Sequence, residues 1–317
     1  MRKFQGRDPE SFEFKDIIYE KKDWVATVTI NRPEVFNTYR TETLREMSAA
    51  FMDASNDDSV AVLVLTGAGD KAFCTGGDVQ EYAESFTSVP RDFIKWGKVF
   101  LGVNEQLRHL GKPTIARVNG MAVGGGNEFQ ISCDLAIAAE HAQFFQVGTS
   151  VGSVAAVSCW FLPLMIGDRR AREMLLLNRR VDAQTALEWG LVNQVVPMEK
   201  LDEAVNKMAR QLVEKFADCT RYTIQQTNFF KDQVASALAG NAGDWLAIHF
   251  TSPETYEGMT SFVEKRKTDY LKLRKLAAEG QSSEYLWGPP AKECAACGSK
   301  GIPTEFGYCG VCGKELK

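Results

Sequence analysis

The chain has 317 residues, 44% of them hydrophobic and 25% charged, enough to bury one large core with a smaller appendage. Its formal net charge is -4 and its Lys and Arg residues are scattered, which excludes the broad basic field of a dedicated nucleic-acid binder and points to small-molecule chemistry. No stretch approaches the ~20 apolar residues of a membrane span, and the polar start Met1-Arg2-Lys3-Phe4 carries no apolar signal core, so a cytoplasmic location without a membrane partner is expected.

From residue 12 to about 196, apolar runs of strand length alternate with helical patterns, which marks an α/β fold. Strands are predicted at 16–19, 25–30, 60–65, 114–118 and 135–138. Residues 41–54 set Leu44, Met47, Phe51 and Met52 at helical spacing, with Thr41 as the N-cap. After Pro197 only helical patterns remain, at 200–216, 223–238, 244–250 and 254–278. The stretch 280–290 has the Gly, Ser and Pro content of a linker, and a Cys-rich unit follows it. The expected organisation is a core at 1–197, a helical region of the same fold at 198–279, a linker at 280–291 and a separate unit at 292–317.

Two glycine loops carry the candidate chemistry. Phe73-Cys74-Thr75-Gly76-Gly77-Asp78 follows the 60–65 strand, and Gly124-Gly125-Gly126-Asn127-Glu128 opens a helical pattern after the 114–118 strand. Bare glycines let backbone N–H groups face outward, and a helix N-terminus adds unpaired donors and a positive dipole end. That combination suits a developing oxyanion. Either loop alone would also fit glycines that only make tight turns. Neither has the G-x-x-x-x-G-K-S/T or G-x-G-x-x-G spacing, which sets nucleotide hydrolysis and hydride transfer aside.

As a pair, in this order and at this separation, the loops resemble those of the crotonase (enoyl-CoA hydratase/isomerase) superfamily. Thr29-Ile30-Asn31-Arg32-Pro33, Cys133-Asp134-Leu135-Ala136-Ile137-Ala138, Ala186-Leu187-Glu188-Trp189-Gly190-Leu191-Val192 and the helical end at 257–267 carry the same likeness, which runs from about residue 12 to 275. The resemblance implies a ββα superhelix, or spiral, closed by a helical trimerisation region, and trimers that often pair into hexamers. It implies an acyl-coenzyme A thioester as substrate. The enolate oxygen would lie on the N–H groups of Gly77 and Gly125, with Cys74, Gly76, Asp78 and Gly124 as further substrate-binding positions.

Glu128 falls in the first turn of the helix that the second loop opens, where it matches one of two catalytic glutamates of the hydratases; an acid that merely complements the helix dipole would sit there too. The second glutamate of those enzymes has no counterpart. Gln146-Val147-Gly148 places Gly148 in its position, which takes away one of two carboxylates that share the water in ordinary hydration and is expected to enlarge the pocket. Residues 144–156 and 161–167 look more like the ring-opening 6-oxocyclohex-1-ene-1-carbonyl-CoA hydrolases, although Asp78, the missing long insertion and the Cys-rich tail depart from that branch. The favoured expectation is hydration, C–C hydrolysis, or both, on a cyclic or bulky enoyl-CoA. A generic enoyl-CoA hydratase/isomerase stands close behind, and a non-catalytic CoA-ester binding or interaction module is the reading from another class. Thr149, Ser150 and Ser153 are candidates to orient a water, or plain turn hydrogen bonds. Lys265, in Lys265-Arg266-Lys267, matches a lysine that reaches the coenzyme's phosphates from a neighbouring subunit in hydratases, or else sits on a solvated helix face.

Cys294-Ala295-Ala296-Cys297 and Cys309-Gly310-Val311-Cys312 are two C-x-x-C units 11 residues apart, each followed by glycine. Four thiolates at this spacing predict a closed tetrahedral site, a zinc ribbon with a structural role, with iron as the runner-up metal. So small a unit depends on its metal for stability. Its use is open between docking on the trimer and recruiting a partner protein, with nucleic acid the lesser candidate.

Overall fold

A computed structural model of the chain describes residues 5–280 and 291–316. The first part of the chain supplies strands β1 (Ile17–Lys22), β2 (Val25–Ile30), β3 (Val62–Gly67), β4 (Ala72–Cys74), β5 (Thr114–Val118), β6 (Met121–Val123), β7 (Leu135–Ala139), β8 (Gln143–Phe145), β9 (Val181–Asp182) and β10 (Gln194–Val196). One sheet has the order β1-β2-β3-β5-β7-β10 and a second the order β4-β6-β8-β9. Each successive pair, β3 with β4, β5 with β6 and β7 with β8, puts one strand in the large sheet and the next in the small one. The chain therefore advances along both sheets at once, which is the expected α/β spiral.

Strand β3 shows why the sheet forms. All six of its residues are buried, as a parallel strand covered on both faces requires. Leu63 and Leu65 pack with Leu44, Met47 and Phe51 of α1 (Thr41–Asn56), while Val62 and Val64 pack on the opposite face with Leu201, Val205 and Ala209. The period of two splits one apolar run between two layers.

The other helices of the spiral are α2 (Val79–Ser85), α3 (Pro90–Arg108), α4 (Gly125–Ser132), α5 (Gly148–Val151), α6 (Ala156–Ile166), α7 (Asp168–Leu177) and α8 (Ala183–Trp189). After them come α9 (Leu201–Val213), α10 (Ala217–His249), α11 (Pro253–Val263) and α12 (Lys272–Ala278). Among the described residues no helix is long and apolar enough to cross a membrane.

Three local expectations are corrected. Arg40, not Thr41, is the N-cap of α1; the hydroxyl of Thr43 accepts from Arg40 N at 3.1 Å and donates to Asp16 at 2.6 Å, so the threonine two places on anchors the turn. The segments 223–238 and 244–250 belong to one helix of 33 residues. Glycines 240 and 243 cost it about 1 kcal/mol each, and packing on α3 offsets them, with Asn228 Nδ2 donating to Arg108 O at 2.8 Å and Arg108 paired to Asp232. The segment 254–278 is two helices, because Lys265 has φ +54° and Arg266 folds back onto the Glu257 carboxylate at 2.6 and 2.8 Å. Residues 281–290 of the expected linker lie outside the described residues. Beyond them β11 (Ala291–Lys292) pairs antiparallel with β12 (Ile302–Pro303) beside the four cysteines.

Candidate active site

Strands β4 and β6 are parallel neighbours, so the two glycine loops leave the small sheet side by side at the same end. A Cβ placed on Gly76 would stand 3.5 Å from Gly125 N. Tyr39 ties down the first loop, donating from N to Gly76 O at 2.9 Å and accepting from Asp78 N at 2.8 Å. This pattern skips the N–H of Gly77, which has no acceptor among the described residues. Gly125 opens α4, where the helix itself provides none either. The two free donors line a cavity of about 1140 Å³ together with Gly76, Asp78, Gly124, Glu128, Gly148 and Lys265. Cys74 lies behind the wall instead, a buried thiol pushed up to about 12 by that burial.

Glycine is needed at these positions for a reason the sequence does not display. A Cβ on Gly77 would fall 1.7 Å from the Tyr82 hydroxyl, and one on Gly125 would fall 2.0 Å from the Tyr39 hydroxyl. Two phenols occupy the space where side chains would be. Burial holds both phenols well above the usual tyrosine range, so both stay neutral.

Glu128, one turn into α4, is 4% exposed. Burial pushes its carboxyl up to about 7, although Ser158 N donates to Oε1 at 2.9 Å and Val157 N–H also favours the charged form. A carboxyl poised at neutral pH can take or give a proton with little driving force lost. Asp78 is committed elsewhere: it caps α2 through Gln80 N at 3.1 Å and meets Arg32 Nη2 at 3.1 Å.

The wall facing Glu128 departs from expectation. A Cβ on Gly148 would sit 2.8 Å from Ser153 O and 3.3 Å from Ala155 N, so the backbone of 153–155 already fills the space where a glutamate would begin. The missing side chain therefore leaves no extra room there. The Ser150 hydroxyl donates to Val147 O at 2.8 Å and that of Thr149 to Leu175 O at 3.2 Å, both as turn fasteners. Cavity size comes from an aromatic wall instead. Phe93 stacks on Phe250 with ring centres 3.9 Å apart, and Trp96 lies parallel to Phe100 at 5.6 Å, with Tyr82 edge-on to Trp96.

Residues 20–272 match the enoyl-CoA hydratase/isomerase family. The chain belongs to that family. An enoyl-CoA hydratase from Mycobacterium avium subsp. paratuberculosis K-10 superposes with a TM-score of 0.72 at 25% identity over 81% of this chain and 98% of that one. An enoyl-CoA hydratase from Bacillus anthracis gives 0.64 at 28% identity over 81% and 99%. A monofunctional enoyl-CoA isomerase from M. smegmatis gives 0.59 at 32% identity over 68% and 94%. The crotonase-like α/β fold and an acyl-CoA thioester substrate follow from membership.

Two features of this family member lie at the edge of that match or beyond it. Lys265 borders the cavity of its own chain, just past the end of α11. The Cys-rich tail begins after residue 272, where the family match ends. In it Cys294, Cys297, Cys309 and Cys312 bring their sulfurs within 4.8 Å of one another. Separations of 3.5 Å for Cys294–Cys312 and 3.7 Å for Cys297–Cys309 fit the ~3.8 Å edges of a tetrahedron with ~2.3 Å Zn–S bonds. Gly298 and Gly313 take φ of +71° and +68°, which lets each knuckle close. The Cys312 N–H, and after it the Val311 N–H, which donates to Cys309 Sγ at 3.4 Å, lower the Cys309 thiol to about 6.

Proposed function

We propose that this family member adds water to a cyclic or otherwise bulky enoyl-CoA, with hydrolytic ring opening as the favoured outcome. Glu128 takes a proton from water, the hydroxide adds to the β-carbon, and the electron pair moves onto the thioester oxygen between the N–H groups of Gly77 and Gly125. The same carboxyl then returns its proton to the α-carbon. In ring opening a second water attacks a ring carbonyl, and the C–C bond that breaks leaves its electron pair as an enolate in the same hole. The observation that carries this reading is Glu128, poised near neutrality on the cavity that the two free N–H groups line. The aromatic wall supports a ring-bearing acyl group. Lys265 supports phosphate binding at the cavity's rim.

Isomerisation of a double bond is the second reading. It is favoured by the single carboxyl, because moving one proton between two carbons needs one acid-base group. The expected division at 197, 279 and 291 belongs to the same proposal, as does a homo-trimer or hexamer, which the exposed Phe229 and Phe230 support. The four tail cysteines would hold zinc in a closed, structural set, leaving that surface for a protein partner. The deciding experiment incubates pure protein, intact and as Glu128→Gln, with linear and cyclic enoyl-CoA thioesters and weighs the products. Gain of two waters marks ring opening, gain of one marks hydration, and unchanged mass with a moved double bond marks isomerisation. Absence of turnover on every thioester would leave a CoA-ester binding module in place of an enzyme, and equal turnover by the variant would remove Glu128 from the chemistry.

A further inference from the structure

Asp78 follows Gly77 directly and borders the same cavity, so a carboxylate stands one residue from an N–H proposed to receive the enolate oxygen. A negative charge there opposes the charge that the reaction develops. Its contacts as a helix cap leave that charge whole: Oδ1 accepts from Gln80 N at 3.1 Å and from Glu81 N at 3.4 Å, both neutral donors. The opposite charge comes from Arg32, whose Nη2 donates to Asp78 Oδ2 at 3.1 Å.

Arg32 is fixed on both sides of this pair. Its backbone N–H donates to Asn37 Oδ1 at 3.1 Å, and Asn37 is buried and anchored in turn by donation from Nδ2 to Ala68 O at 3.0 Å and to Ala72 O at 2.8 Å. The guanidinium's Nη1 donates to Thr38 O at 2.8 Å. One planar group therefore joins the residue before Tyr39 to the residue after Gly77, and Tyr39 N and O pin the loop between them. Asp16 Oδ2 stands 4.0 Å from Arg32 Nε, but that carboxylate already takes Arg40 at 2.7 and 2.8 Å, which leaves the Arg32 charge to Asp78. We propose that Arg32 is a positioning residue of the oxyanion hole: acting through Asp78, it cancels the carboxylate beside the hole and clamps the loop that presents the Gly77 N–H. Arg32 does not border the cavity itself. This inference rests on the oxyanion-hole reading and adds to it a residue that acts on the thioester only through another.

The test reads the absorbance of 4-dimethylaminocinnamoyl-CoA, whose band moves to longer wavelength as hydrogen bonds draw charge onto the thioester oxygen. It is bound to Glu128→Gln protein so that it is not consumed. Arg32→Gln, added to that protein, should lose roughly half of the shift or more while the dissociation constant rises less than about threefold. Adding Asp78→Asn should restore the shift, because the amide still caps α2 and no carboxylate is left to cancel. Asp78→Asn with Arg32 in place should deepen the shift beyond that of the Arg32–Asp78 protein, whereas a merely structural carboxylate would give a shallower one on removal. A full shift in Arg32→Gln, or no recovery on adding Asp78→Asn, overturns the proposal. So does a shift that fails to deepen in Asp78→Asn alone, with no reliance on the fold of any Arg32 variant. A probe that binds the Arg32–Asp78 protein with no shift at all overturns the oxyanion-hole reading itself, and the proposal with it.

Discussion

Helix α4 buries every one of its residues from Gly125 to Ser132, whereas the described tail buries only Cys294, Ile302, Cys309 and Leu316. The first region gets its shape from the surrounding spiral: strands on either side fix the loop, and Gly126 fits because a Cβ there would lie 2.0 Å from Cys74 O. The second has too little apolar surface to offset the entropy of ordering it, and its four sulfurs converge in place of a core. Geometry in α4 is thus a property of the whole domain, and in the tail a property of four converging sulfurs and of the metal proposed for them.

Metal removal should break this contrast most sharply. Structural zinc in small modules contributes roughly 10–16 kcal/mol, so a strong chelator or Cys309→Ser should abolish amide protection throughout 291–316 while leaving protection in α4 unchanged. Loss of both together in a hydrogen-exchange experiment would refute the separation. Next in size, Gly125→Ala should lower kcat roughly 100- to 1000-fold, the effect of one lost oxyanion donor, because the new methyl meets Tyr39 and moves the N–H. A smaller change would show that the hole tolerates displacement.

The smallest effect concerns what burial costs. Glu128 stands near 7 in the folded protein against an ordinary 4.5, so the stability it contributes is full below pH 4.5 and is lost as pH rises through 7. Glu128→Gln should therefore be more stable than the natural chain at pH 8 by up to about 3 kcal/mol, with the advantage gone at pH 4, as read from denaturant midpoints. Over the same range kcat/KM of the natural chain should climb as the carboxylate forms. A variant equally stable at both values would mean that burial is not what shifts the group.

Much of this was visible in the residue order. Gly76-Gly77 and Gly124-Gly125-Gly126 announce themselves because short-range turn chemistry leaves a local mark, and the spacing of four cysteines does the same. The aromatic wall left none: Tyr39 precedes α1, Tyr82 lies in α2, Trp96 in α3, and Phe250 follows α10, so they meet only once the spiral has closed. Gly148 misled for a related reason. A sequence displays which side chain is absent but not the backbone of 153–155 that moves into its place. The patterns at 223–238 and 244–250 read as two helices because periodicity is a local quantity, while the contacts that hold α10 on α3 come from residues more than a hundred positions away.

The hydroxyl of Tyr82 and the bare α-carbon of Gly77 occupy one volume between them. Gly77→Ala should be severely disruptive, and Tyr82→Phe should not rescue it, because the ring carbons Cζ and Cε2 would still stand 2.2 and 2.7 Å from the new methyl. An aromatic ring at position 82 therefore holds position 77 to glycine, so the wall of the pocket dictates the backbone of the loop beside it.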